Sequence, residues 1–133
     1  MNTSLVKPPI RALLVDDDSF QLELISGILA GLGLTDVTQA SSGEKGVQAI
    51  SSQQKPFNLL VIDLHMPGMD GFQFMEAAAK AGYTGALIIV SGQSDDVMHA
   101  ASMVAKLRRF TLLGTVSKPV GRAALSALIA KMG

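Results

Sequence analysis

Apolar runs recur along this chain, and four of them end on a polar residue. ALLV leads into Asp16, NLLVI into Asp63, ALIIV into Ser91, and the weaker LLGTVS into Lys118. Runs of this length, rich in Val, Ile and Leu, read as strands buried on both faces. The pattern predicts strands over Arg11–Val15, Val37–Ala40, Leu59–Ile62, Ala86–Val90 and Gly114–Val116, with helices between them and after the last. In the first helix, Phe20 and Leu24, and Leu22, Ile25 and Leu29, fall at helical spacing. If the strands are parallel, their carboxyl ends meet at one edge, and the acids, the hydroxyl and the amine converge there.

The helix starts carry capping-box spacings: Asp18 with Gln21, Ser41 with Glu44, and Asp70 with Gln73. Gly31 or Gly33 in GLGLTD can supply the left-handed residue that closes the first helix. The last helix is expected over about Arg122–Met132. Five strands alternating with five helices predict an α/β, flavodoxin-like, doubly wound parallel sheet, and strand order 2-1-3-4-5 is favoured. Residues 1–9 read as a leader closed by Pro8 and Pro9, and residues 10–133 as one domain. No second domain is expected.

Composition narrows the classes. With 48 % hydrophobic and 17 % charged residues the chain is globular rather than disordered. Its formal net charge is zero, so no global field favours nucleic acid or an anionic membrane, and neither is expected as a partner. It has no cysteine, which excludes disulfides and thiolate chemistry. No apolar stretch is as long as a membrane span, and the amino terminus is too short and polar for a signal peptide. A cytoplasmic location is expected.

In the chosen strand order the topological switch point lies between the first and third strands, which carry Asp16, Asp17 and Asp63. Carboxylates at close quarters repel unless a cation is bound. Their oxygens suit Mg²⁺ or Mn²⁺, which keep waters and often bridge to phosphate. A carboxylate can also act as a nucleophile and become an aspartyl-phosphate. Lys118 supplies a point charge for phosphoryl oxygens, Ser91 a hydrogen bond, and Gly92 beside it leaves room for an incoming donor. Each residue has a plainer reading as well. Asp18 is a helix cap, Asp63 turn chemistry, Ser91 a loop hydroxyl and Lys118 a surface lysine. Their joint placement at strand ends is what favours phosphoryl chemistry.

The motifs LLVDDD at 13–18, VIDLHMPGMDG at 61–71, IIVSG at 88–92 and Ser-Lys-Pro at 117–119 resemble the receiver domain of two-component response regulators. The second motif is the most specific. The resemblance runs from about Ile10 to Lys131 and implies a phosphoacceptor switch rather than an enzyme acting on other substrates. Asp63 would accept a phosphoryl group from a sensor histidine kinase or phosphotransfer protein. Asp16, Asp17, Asp63 and the backbone carbonyl of His65 would hold the metal. Lys118 would pair with the phosphate, and Ser91 would shift toward it. A cis bond before Pro119, a downstream effector or output domain, and a possible homodimer are also implied, as is tuning of phosphoryl-group lifetime by His65 and Gln93.

Two departures stand out. Thr115 occupies a switch position that is often aromatic in this family. The interval from Ser91 to Lys118 is longer than usual, with the excess near AKLRRFTLLG. That excess predicts a longer fourth helix or a longer loop, with Phe110, Leu112 and Leu113 covering the core. Two rival readings are kept. One is a pseudo-receiver that binds partners without phosphorylation. The other is a small Mg²⁺-dependent aspartyl phosphatase, against which His65 stands where such an enzyme usually has a second acid.

Overall fold

A computed structural model describes residues 9–52, 55–92 and 94–132. Its strands are β1 (Ala12–Val15), β2 (Val37–Ala40), β3 (Leu59–Asp63), β4 (Ala86–Ser91) and β5 (Thr111–Ser117). The helices are α1 (Ser19–Gly31), α2 (Gly43–Ser52), α3 (Gly71–Lys80), α4 (Asp95–Leu107) and α5 (Arg122–Ile129), and a short 3₁₀ turn follows at Ala130–Met132. All strand pairs are parallel, in the order 2-1-3-4-5 that the sequence predicts. The flavodoxin-like fold is therefore the observed one.

Strand pleating explains why nearly every residue of the central strands is apolar. Leu13, Val15, Leu60, Ile62, Leu87 and Ile89 face the layer of α2, α3 and α4. Ala12, Leu14, Leu59, Val61, Ile88 and Val90 face α1 and α5. Each face needs its own apolar helix stripe: Phe74, Met75, Ala78, Met98, Ala101 and Ala105 on the first side, Leu22, Ile25, Leu29 and Leu125 on the second. With both faces covered, only the strand ends are left to carry chemistry.

The boundaries differ from the sequence reading in informative ways. β1 begins at Ala12, because the Arg11 amide donates instead to Asn58 Oδ1 at 2.7 Å. The first helix is capped by Asp18, which accepts from Phe20 N–H at 2.9 Å, but Gln21 does not complete a box. The Asp18 N–H that Gln21 would have accepted is donated to Asp16 Oδ1 at 3.0 Å. Gly33, at φ +87°, closes this helix, with Leu34 N–H reaching Leu29 O at 2.9 Å. The second helix is capped by Ser42, not Ser41: Ser42 Oγ accepts from Lys45 N–H at 3.1 Å, and Ser41 Oγ instead takes Lys45 Nζ at 3.1 Å. The Asp70–Gln73 box is complete in both directions, at 3.0 and 2.9 Å. The last helix turns 3₁₀ after Ile129.

The largest departure is β5, which runs from Thr111 rather than Gly114. Leu87 pairs with Leu112 and Ile88 with Gly114, so Leu113 is the extra residue of a bulge. The bulge reverses which side chains face which layer. Leu112 packs under α4, while Leu113 and Val116 join the α1/α5 side. Gly114 then lies under Leu128, where a Cβ would sit 2.6 Å from Cδ2. The stretch before Lys118 holds a fourth helix of 13 residues and the bulged β5. Phe110 and Leu113 are buried, and Leu112 packs against the core, as expected.

Candidate functional site

The carboxyl ends of β1, β3 and β4 and the residue after β5 converge as the parallel order requires. In register, Val15 stands beside Ile62, Asp63 beside Val90, and Ser91 beside Ser117. Asp16 therefore emerges next to Asp63. Oxygens of Asp16, Asp17 and Asp63 lie within 4.8 Å of one another. Lys118 Nζ sits 3.4 Å from Asp16 Oδ2 and 3.4 Å from Asp63 Oδ1. The lysine is positioned by its backbone, whose N–H donates to Ser91 O at 3.0 Å. The Lys118–Pro119 peptide is cis.

Burial sorts the acids. Asp16 and Asp63 are 3 % and 4 % exposed, whereas Asp17 and Asp18 face solvent. Burial raises the carboxyl pKa of both buried acids. At Asp16 the Asp18 N–H opposes that rise, Asp63 adds to it, and Lys118 opposes it. At Asp63 the Lys118 charge is the strongest opposing influence, and the His65 N–H donates to the carboxylate. Two buried carboxylates that share one ammonium, with a third at the mouth, form a donor set short of positive charge. Oxygen-only ligation with room for water fits Mg²⁺ or Mn²⁺.

An open cleft of about 300 Å³ gives access, lined by Asp17, Asp18, Asp63, His65, Gly92 and Lys118. Asp18 thus lines the cleft while capping α1. His65 is exposed, and its ring is not part of the acidic cluster. Gly92 has open space where a side chain would stand. Ser91 is fully buried at the end of β4, next in sequence to the cleft-lining Gly92. Thr115 pairs with Ile89, is exposed and does not line the cleft. By strand alternation it points opposite Val116, toward the α4 side of the sheet. Gln93 lies outside the described residues.

The sequence reading assigned no role to Gly71. A Cβ on Gly71 would lie 2.7 Å from Asp63 O and 2.7 Å from Leu64 Cα. Only a glycine lets the first turn of α3 pack this closely on the backbone that carries Asp63. The signal was its place in MPGMDG, directly after the capping Asp70.

A parallel five-stranded sheet with this acidic and lysine-bearing edge defines a receiver class. The model of the response regulator receiver domain matches residues 12–130, and the chain belongs to that family. It is 36 % identical over 88 residues to a probable chemotaxis protein CheY of Rhizobium etli, covering 65 % of this chain and 67 % of that protein. Over 64 residues it is 42 % identical to a protein-glutamate methylesterase/protein-glutamine glutaminase of Natronomonas pharaonis, covering 48 % of this chain but only 18 % of that protein. A CheY-like receiver domain structure from Methanospirillum hungatei superposes with a TM-score of 0.78 at 26 % identity, covering 94 % of each chain. Among the described residues, no helix is long and apolar enough to cross a membrane.

Proposed function

We propose that this receiver is a phosphoacceptor switch of a cytoplasmic two-component phosphorelay, with Asp63 as the acceptor. The observation that carries this reading is a buried Asp63 carboxylate 3.4 Å from an ammonium and clustered with two more acids at the mouth of an open cleft. The donor would be the phosphohistidine of a sensor kinase or phosphotransfer protein. An Asp63 oxygen attacks phosphorus, the P–N bond breaks, and the histidine nitrogen keeps its electron pair. Asp16, Asp17 and Asp63, with the His65 carbonyl, would hold Mg²⁺ or Mn²⁺, which when bound offsets charge on the phosphoryl oxygens.

The protein's own groups do the rest. Lys118 is already placed against the acceptor oxygen, so it meets the phosphoryl charge with little rearrangement. Its contact with Asp16 holds it there when Asp63 is modified. Ser91 lies at the end of β4 within the same edge and donates to the phosphoryl group as its loop moves. The modified state then alters contacts with a downstream effector or output domain.

The test is to incubate the protein with Mg²⁺ and acetyl phosphate and measure intact mass. A phosphate adduct is expected in the wild type and absent in Asp63→Asn. No adduct with several donors would leave an unphosphorylated binding module instead. Steady phosphate release from unrelated monoesters would mark an aspartyl phosphatase.

A further inference from the structure

We infer that the first turn of α2 positions the loop carrying the His65 carbonyl, through Gly43 packed against Met69. The loop between β3 and α3 is closed at its base, where Gly71 N–H donates to Leu64 O at 3.0 Å. That bond does not fix the tip. His65, Pro67 and Gly68 are exposed, and Gly68 turns the chain at φ +74°. Toward α4 the loop borders an open cavity of about 330 Å³, whose lining includes His65, Met66, Gly68 and Val97. Contact at the tip comes instead from α2. A Cβ on Gly43 would lie 2.8 Å from Met69 Cγ and 2.9 Å from Met69 Cβ. Those atoms are the root of the side chain, so Met69 cannot swing clear without moving its backbone. The next residue of α2 covers the turn itself: a Cβ on Gly68 would stand 3.3 Å from Glu44 Oε2.

Gly43 and Gly46 are one turn apart on one face of α2, and both are buried. Their neighbours separate their roles. A Cβ on Gly46 would meet Phe74 Cε1 at 2.7 Å and Val15 Cγ2 at 3.0 Å, both core side chains. Gly46 therefore serves the close packing of α2 on α3 and β1. Gly43 faces a residue of the loop. The start of α2 is also tied to the other half of the site. Only Ser41 and Ser42 separate it from β2, whose Ala40 O accepts the Asp16 N–H at 3.1 Å. The turn thus reaches Asp16 through the backbone and the His65 loop through Met69. A larger residue at 43 lifts the loop tip and turns the His65 carbonyl away from Asp16 and Asp63. Gly43 and Met69 touch no reacting atom; they are positioning residues, of the kind that orients a metal's donors from outside. The consequence for metal affinity rests on the phosphoacceptor reading above, whereas the consequence for loop order does not.

Hydrogen exchange on the full chain in EDTA reads loop order with no metal present. The amides of Met66, Gly68 and Met69 should exchange about tenfold faster in Gly43→Ala than in the wild type. Gly46→Ala is the control: it should lower the urea midpoint without that local change. Calorimetric titration with Mg²⁺ should show binding weakened about tenfold in Gly43→Ala and less than about twofold in Gly46→Ala. Met69→Ala introduces no clash and removes the anchor, so it should also speed loop exchange, and it decides the matter if Gly43→Ala fails to fold. In the Met69→Ala background, where room exists, Gly43→Ala should add no further loss. Unchanged loop exchange in Gly43→Ala or Met69→Ala would overturn the inference. So would an equal local rise in Gly46→Ala, or losses that simply add in the double variant. A wild type without measurable Mg²⁺ binding would overturn the metal consequence, while faster loop exchange in Gly43→Ala would still support the contact.

Discussion

Asp63→Asn is expected to stabilise the metal-free protein at neutral pH while removing its proposed chemistry. At an effective dielectric of about 20, the attraction of Asp63 to Lys118 at 3.4 Å is about 5 kcal/mol. On the same footing, repulsion from the buried Asp16, with oxygens within 4.8 Å, is about 3.5 kcal/mol, and that from the exposed Asp17 is reduced by solvent screening. The acids therefore only offset the attraction; desolvation of the buried carboxylate, the largest influence on it, makes the charged form unfavourable on balance. Asn fills the same space without the charge, and Lys118 keeps Asp16 at 3.4 Å. Asp17 is exposed and partly screened, so the expected gain is about 1–3 kcal/mol.

The pH dependence follows from the direction of the shift. The Asp63 carboxyl is raised in the folded state above its ordinary 3.8, so folding costs most above the raised value, where the buried group is charged. As pH falls through that value the folded protein takes up a proton and the cost is released, until the unfolded chain also protonates near 3.8. Asp16 is raised in the same direction, so the metal-free wild type gains stability on mild acidification. The advantage of Asp63→Asn should be largest near pH 7 and shrink as pH falls toward the carboxylate range. Urea unfolding in EDTA across this range measures it through the transition midpoint. Saturating Mg²⁺ should stabilise the wild type more than the variant and narrow the gap. An Asn variant no more stable than wild type at pH 7, or an advantage that grows on acidification, would refute the reasoning.

Lys118→Met should lower metal-free stability at pH 7 by about 1–3 kcal/mol, because two buried carboxylates lose their shared cation. It should also slow adduct formation from acetyl phosphate, read by intact mass over time. Gly71→Ala should cost about 1–3 kcal/mol in urea unfolding, as its methyl group displaces the backbone at Asp63 and Leu64, with slower phosphorylation alongside. Phe20, exposed on the first turn of α1 beside Asp17 and Asp18, has the position of a docking contact. Phe20→Ala should change stability by less than about 0.5 kcal/mol. It should slow transfer from a phosphohistidine protein while leaving the acetyl phosphate rate unchanged.

The edge that gathers the site was legible because two sequence signals coincide there. A strand buried on both faces must be apolar along its length, so a polar residue at its end stands out. Parallel strands then bring all such ends to one side. Asp16, Asp17, Asp63 and Lys118 follow from that logic, and the structure gathers the three acids within 4.8 Å of one another, with Lys118 at 3.4 Å from two of them. Gly71 was harder to see, because its role depends on how closely α3 approaches Leu64, which no periodicity encodes. The first two helix starts misled for a related reason. Several polar residues stand near each one, and tertiary geometry chose among them. Asp16 took the amide that Gln21 would have accepted, and Ser42 displaced Ser41.

β5 was hidden by the bulge, and the bulge bears on how the site connects outward. A regular strand puts residues i and i+2 on one face, so Leu112, Gly114 and Val116 would share a layer. The extra residue at Leu113 separates Leu112 from the other two, which blurs the alternation and made the run look weak. The same shift sends Thr115 to the α4 side, where it is exposed and too small to fill the space an aromatic would take. Backbone bonds link the acidic edge to this side. Lys118 N–H holds Ser91 O, and the β4–β5 ladder continues through Ser91 and Ser117. α4 begins only a few residues beyond Ser91, capped by Ser94. In the proposed switch, a displacement of Ser91 would reach the start of α4 first, because Ser94, three residues further along the chain, caps that helix.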